Sequence, residues 1–154
     1  MLVELFLSIA FVAFDESSIS ELNLTCAGGG IAQVQTNGSA NAFDNYGNSI
    51  TITSRRANLI EYQSTVDFSV EGGIAKLRLP KALLPPLRGG KDGWFKVKKF
   101  SVDETTISGK ASVNFLNNPE FSINRITGIL TVNSKNGSFA GECQAFDKNA
   151  PRKF

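Results

Sequence analysis

The chain has 154 residues, 42% hydrophobic residues and a formal net charge of +2, which is typical of one globular domain and too weakly basic for a nucleic-acid-binding protein. Histidine is absent, which excludes Ser-His-Asp and Cys-His catalysis, HExxH zinc sites and the usual imidazole metal ligands. The two cysteines lack CxxC spacing, so the composition predicts no metal site, no cofactor and no nucleic-acid partner.

The N-terminal segment 1–14 is almost entirely apolar and is followed directly by Asp15-Glu16. It is shorter than the roughly 20 residues of a membrane-spanning helix and has the length of a signal-peptide hydrophobic region. However, no Lys or Arg precedes the apolar run, and Glu4 lies near its start. We therefore expect either a signal peptide or a buried N-terminal strand or helix, followed by one antiparallel β domain over 15–154.

The first predicted strand is the alternating sequence from Glu21 to Cys26. The glycines at 28–30 are predicted to break it, and Ile31 to Gln35 to pair back as a second strand. Residues 36–49 are rich in Asn, Gly and Ser, which predicts a loop. The β-branched sequence from Ile50 to Thr53 predicts another strand.

A hairpin is predicted around Gly72-Gly73. Val66, Phe68 and Val70 alternate with polar residues before it, and an apolar-polar alternation returns after it. Both glycines tolerate positive φ, as a tight two-residue turn requires.

Residues 80–93 contain several prolines and glycines, which exclude a central strand. Either this segment folds over one end of the core, or it forms a lid or an exposed apolar contact surface. Its candidate contact residues, with the residue that precedes it, are Leu79, Leu83, Leu84 and Leu87.

Residues 94–102 predict a strand with a bulge at Lys98-Lys99, where the alternation is broken. One face carries Phe95 and Val97. The other face either contacts a ligand or partner, or is the solvent face of an edge strand. Its candidate contact residues are Trp94, Lys96 and Lys98.

The stretch from Ile107 to Phe146 predicts a series of antiparallel strands. Strict alternation extends from Ile107 to Phe115, and turn sequences occur at 117–119 and 125–128. Asn136-Gly137 is the strongest two-residue hairpin signal in the chain. The predicted fold is thus all-β, a single antiparallel β-barrel or β-sandwich of meander topology with about eight strands.

Cys26 lies on the first predicted strand and Cys143 on the last. First and last strands are often neighbours in a barrel or sandwich, so a disulfide between them is geometrically reasonable. It would fit an oxidising compartment, whereas the alternative is two buried thiols in a cytoplasmic protein.

The sequence NFLNNPEFSINRITG, from Asn114 to Gly128, is followed by GSFAGEC, from Gly137 to Cys143. This pattern resembles small exported proteins of Gram-negative bacteria in which an Asn-Pro turn, an Ile-Asn/Asp-Arg-x-Thr-Gly turn and a closing Gly-x-Cys recur. The similarity covers about the last third of the chain, together with Cys26. It implies a periplasmic or secreted location and no particular activity.

These observations predict a non-enzymatic envelope or periplasmic β domain that binds an apolar ligand or a protein partner. The alternative is a structural or assembly protein that pairs with another chain, or with a second copy of itself, through an edge strand such as Trp94–Val102. An enzyme would have to use a Ser-Lys pair or carboxylates. The candidate carboxylates are Asp44, Asp67, Asp92, Asp103 and Glu104.

Overall fold

The computed structural model describes residues 19–43, 46–47 and 49–151, and the predicted signal peptide at 1–14 lies outside these ranges. Eight antiparallel strands follow one another around a closed barrel, and β8 pairs with β1. This confirms the all-β prediction of about eight strands in a meander. The strands are β1 Glu21–Phe43, β2 Ser49–Glu71, β3 Ile74–Arg78, β4 Trp94–Val102, β5 Thr106–Ala111, β6 Glu120–Asn124, β7 Ile129–Ser134 and β8 Gly137–Ala145.

The barrel interior is filled with apolar side chains from alternate positions of its strands. The ring of Phe68 packs against those of Phe121 and Phe100, with centroid separations of 5.5 and 6.2 Å. The largest fully buried side chains are Phe68, Phe95, Phe139, Leu77, Leu83, Leu130, Val66, Val70, Val113 and Val132. An eight-stranded barrel has an interior that such side chains can fill, so the core holds the barrel together by apolar burial.

Several predicted turns are confirmed. Gly72 and Gly73 join β2 to β3 with φ values of 57° and 77°. The predicted bulge lies in β4, where the register shifts between Lys98 and Ser101. The last hairpin is displaced by one residue from its prediction, because β8 already begins at Gly137 and Ser134 pairs with it.

β1 runs without interruption through Gly28–Gly30, so the predicted break there is wrong. A Cβ atom on Gly28 would lie 2.0 Å from the backbone oxygen of Ala140, and one on Gly30 would lie 1.8 Å from that of Ser138. Because any side chain would collide with β8, these glycines allow close approach of two strands rather than a turn.

The strand predicted to continue to Phe115 ends at Ala111, and Phe115 is 89% exposed. Asn114 turns the chain, because its side-chain oxygen accepts hydrogen bonds from the backbone N–H of Leu116 at 2.9 Å and of Asn117 at 2.7 Å. The alternation of apolar residues therefore extends beyond the strand that it predicts.

Cys26 and Cys143 form a disulfide between directly paired positions of β1 and β8, with Cα atoms 3.9 Å apart. The predicted bridge is confirmed, and it crosses the seam at which the barrel closes. A disulfide is more typical of an oxidising compartment than of the cytoplasm. Helix within the described ranges is limited to the 3-10 turn Lys81–Leu83. No helix there is long and apolar enough to cross a membrane.

Candidate interaction site

A two-stranded arm extends from one end of the barrel. β8 pairs with β1 only as far as Ala32, and β3 pairs with β2 only from Asp67 onwards, whereas β1 and β2 remain paired with each other to their far ends. We define the arm as Gln33–Phe43 of β1 and Ser49–Leu59 of β2. At about 3.3 Å per residue, its ~11 residues on each strand reach roughly 35 Å beyond the barrel.

The arm corrects the prediction of a loop over 36–49, since the strands continue to Phe43 and resume at Ser49. The Asn, Gly and Ser residues of this segment have turn propensity, but pairing that starts in the barrel carries them into the ladder. A side-chain hydrogen bond supports the pairing, since the Thr51 hydroxyl donates to the side-chain oxygen of Asn41 at 3.1 Å.

The arm leaves two strand edges open within the described residues. The backbone N–H of Gln33 donates to the backbone oxygen of Asn136 at 2.7 Å, and beyond it the edge of β1 that would face β8 is unpaired from Val34 to Phe43. The edge of β2 that would face β3 is unpaired from Ser49 to Val66. An open edge presents a row of backbone N–H and C=O groups that a further strand can pair with. No proline interrupts either edge.

Exposed apolar and charged side chains lie together near the base of the arm. Leu59 is 72% exposed and Ile60 44% exposed, and both lie on β2 where the arm meets the barrel. Arg55 and Glu61 are exposed on the same strand, and neither forms a salt bridge within the described ranges. This composition, apolar residues with charges of both signs, suits contact with a protein surface.

Tyr62 fixes the base of the arm to the barrel. Its hydroxyl donates a hydrogen bond to the backbone oxygen of Ser138 at 2.9 Å, and its side chain packs at the edge of the core. Burial raises the pKa of Tyr62 to about 12. This hydrogen bond and this packing hold β2 against the barrel at the point from which the arm extends.

A surface groove of about 790 Å³ lies beside the open edge of β2, between Ser64-Thr65 and the segment that follows β3. Its charged lining residues are Arg78, Lys81, Arg88 and Asp92. Arg78 also lies 3.5 Å from the carboxylate of Asp67, so the groove is moderately rather than strongly basic. The groove lies along the part of the open β2 edge that is nearest to the barrel, just before β2 pairs with β3 at Asp67.

The predicted contact residues of the 80–93 segment separate into two groups. Leu79 and Leu83 are buried in the core cluster, so this part of the segment folds over one end of the barrel. Leu84 is half-buried and lines the groove, while Leu87 is 84% exposed. The segment is fastened by the side chain of Asn114, whose amide donates to the backbone oxygen of Leu87 at 2.9 Å.

The Trp94–Val102 strand lies between β3 and β5 in the barrel, so the predicted edge position is wrong. β3 pairs with its first residues and β5 with the remainder. Trp94 is half-buried and lies with exposed Lys96 along a shallow cavity of about 340 Å³. Trp94 and Lys96 pair with β3, while Lys98 is exposed and pairs with Lys110 of β5. The side of β4 that faces β3 has no pairing at Lys98.

The candidate carboxylates are dispersed through the described structure. Asp67 accepts a hydrogen bond from the Thr25 hydroxyl at 2.9 Å and lies in the β2 ladder. Backbone N–H groups of Thr105 and Thr106 donate to Asp103 and lower the pKa of its carboxyl group, which is a turn-forming role.

Asp92 lines the groove and Glu104 lies in the turn after β4, while Asp44 lies outside the described residues. No group of three or more His, Cys, Asp or Glu residues within the described ranges could hold a metal ion.

Comparison of the chain with protein-family models, curated proteins and solved structures finds no match. The site must therefore be interpreted from its geometry. Sequence reasoning missed the arm because its residues outside Ile50 to Thr53 lack the apolar-polar alternation of a half-buried strand. The one signal for it was the β-branched sequence from Ile50 to Thr53 beyond the turn-rich segment.

Proposed function

We propose that this protein is a non-enzymatic interaction domain of the periplasm or cell envelope, which binds another polypeptide by strand pairing along its arm. The observation that carries the proposal is the open edge of β2 from Ser49 to Val66, together with that of β1 from Val34 to Phe43. Addition of a strand to an open edge is a common mode of peptide and protein recognition.

The energetics of an isolated ribbon support this function. A two-stranded hairpin is marginally stable at best in water, and at least three strands or a packed face are needed for independent stability. Proteins usually protect long edges with proline, lysine or a covering loop. The arm contains neither proline nor lysine, and Arg55 and Arg56 are its charged residues. Most of its edge therefore lacks these protections, and a partner strand would both stabilise the arm and cover its edges.

The packed interior favours a protein partner over an apolar small molecule. Phe68, Phe95 and Phe139 are at most 2% exposed inside the barrel, and the cavity of about 790 Å³ is a surface groove with charged lining. The disulfide and the resemblance to exported proteins support an envelope location.

Site-specific photo-crosslinking in the exported protein tests this function. A photoreactive amino acid at Thr53 or Leu59 should form adducts with a polypeptide, because both positions are exposed on β2 of the arm. The matched control is Ile126, which is 77% exposed in the β6–β7 turn at the opposite end of the barrel. Adducts at the arm positions and not at Ile126 would support the proposal, and equal or absent adducts at all three positions would refute it.

A further inference from the structure

We propose that the strand paired with the arm is β2 of a second copy of this chain, running antiparallel, with Asn58 of each copy facing Asn58 of the other on a two-fold axis. This inference rests on the proposed function and names its partner. The partner follows from the symmetry, the charges and the groove along the open edge of β2.

The symmetry and the length of the open edge restrict the position of the axis. A two-fold axis perpendicular to the plane of an antiparallel strand pair leaves a given side chain on the same face of the sheet in both copies. Each residue before the axis therefore faces the residue of the second copy that lies the same number of positions after it. The open edge of β2 spans residues 49–66, and an axis at Ala57 or at Asn58 pairs all but one of these residues. An axis farther from the middle leaves more of the edge exposed.

The charges select Asn58 as the centre of the pairing. With the axis at Asn58, Arg55 of each copy faces Glu61 of the other, which creates two opposite-charge pairs between exposed residues that have no salt bridge within the described monomer. On the same face, the exposed Leu59 lies opposite Ala57 of the second copy. Moving the centre by one residue in either direction separates Arg55 from Glu61, so charge complementarity selects Asn58 among the centres that the edge length allows.

The groove supplies the space that this register requires. Residues 51–52 of the second copy would lie beside Thr65 and Ser64, which line the 790 Å³ groove. The dimer then contains a four-stranded sheet in the order β1, β2, β2 and β1, whose two central strands have partners on both sides. A stable sheet needs at least three strands, and the dimer has four where the isolated arm has two.

A cysteine at the proposed axis gives a geometric test. Cys26 and Cys143 are joined in a disulfide and the chain has no free cysteine, so Asn58→Cys in the full chain introduces the only free thiol. Directly opposed residues have Cα atoms about 4.5–5.5 Å apart, within the range of a disulfide. Mild oxidation should produce a covalent dimer of twice 16.6 kDa.

Thr53→Cys is the matched control on the same strand, because its thiol would face Gln63 and lie roughly 33 Å from its own counterpart in the dimer. Efficient dimer formation by Asn58→Cys and not by Thr53→Cys supports the register. Equal efficiency of the two variants, or no covalent dimer from Asn58→Cys, would overturn it.

Charge reversal tests the Arg55–Glu61 pairs by sedimentation of the full chain. Arg55→Glu and Glu61→Arg should each weaken dimerisation roughly tenfold, because each puts two like-charge contacts in the interface, and the double variant should restore it. A chain that stays monomeric at ~100 µM, while position 59 still crosslinks to a different polypeptide, would overturn the second-copy inference and leave the proposed function standing. Loss of all crosslinks would overturn both.

Discussion

Reduction of the Cys26–Cys143 disulfide should remove a large part of the barrel's stability. The two residues are separated by 117 positions in sequence, and they join β1 to β8 at the closing seam. In the chain-entropy model, a loop of this length stabilises the folded state by about 5 kcal/mol. A typical domain has a free energy of unfolding of about 5–15 kcal/mol, so the reduced protein should be marginally stable. For a chain of this size, that loss corresponds to a fall of roughly 10–20 °C in Tm.

Urea unfolding followed by fluorescence of the single tryptophan, Trp94, measures this effect with and without reductant. The control is the Cys26→Ala/Cys143→Ala double variant, whose unfolding should not respond to reductant. A change below about 1 kcal/mol on reduction would refute the reasoning, because the β1–β8 hydrogen bonds and the apolar core would then be sufficient to keep the barrel closed.

Two further predictions concern the glycines of β1 and the tyrosine at the base of the arm. Gly30→Ala should lower the free energy of unfolding in urea by roughly 3 kcal/mol or more, because its Cβ would lie 1.8 Å from the backbone oxygen of Ser138. The control Gly38→Ala should cost under about 1 kcal/mol, because its Cβ would lie 3.1 Å from the Ser54 hydroxyl. Equal losses of stability in the two variants would contradict this argument from contacts. Because folding raises the pKa of Tyr62 to about 12, its contribution to stability should be complete below pH 10 and decline from pH 10 to 12. Tyr62→Phe should remove that decline, and an unchanged pH profile would contradict it.

The sequence predicts the barrel well where one strand face is buried. The β2–β3 hairpin and the strands from Ile107 onwards show apolar alternation bounded by turn residues, and the structure confirms their order. The disulfide follows from the topology, since Cys26 and Cys143 lie on the first and last strands, which become neighbours when a meander closes into a barrel. Local patterns are informative there because burial imposes them.

The arm could not be predicted in this way because those of its side chains that the structure describes are exposed on both faces. Its residues from Thr36 to Phe43 are typical of turns, and only their pairing with Ser49–Arg56 across the ladder makes them a strand. Gly28–Gly30 were misinterpreted for a related reason. Close approach of a neighbouring strand and a turn both require glycine, and sequence alone does not distinguish the two.

Residue-resolved amide hydrogen exchange of β2 is the most direct test of strand pairing at its open edge. In a free ribbon, successive residues direct their N–H groups alternately to β1 and to the open edge, so slow and fast exchange should alternate. We predict slow exchange at every residue from Thr53 to Gln63 in the assembled protein, and alternation only after dilution or in the Arg55→Glu variant. Alternating exchange in the assembled protein would show that the open edge of β2 has no strand partner, and would contradict the proposed function.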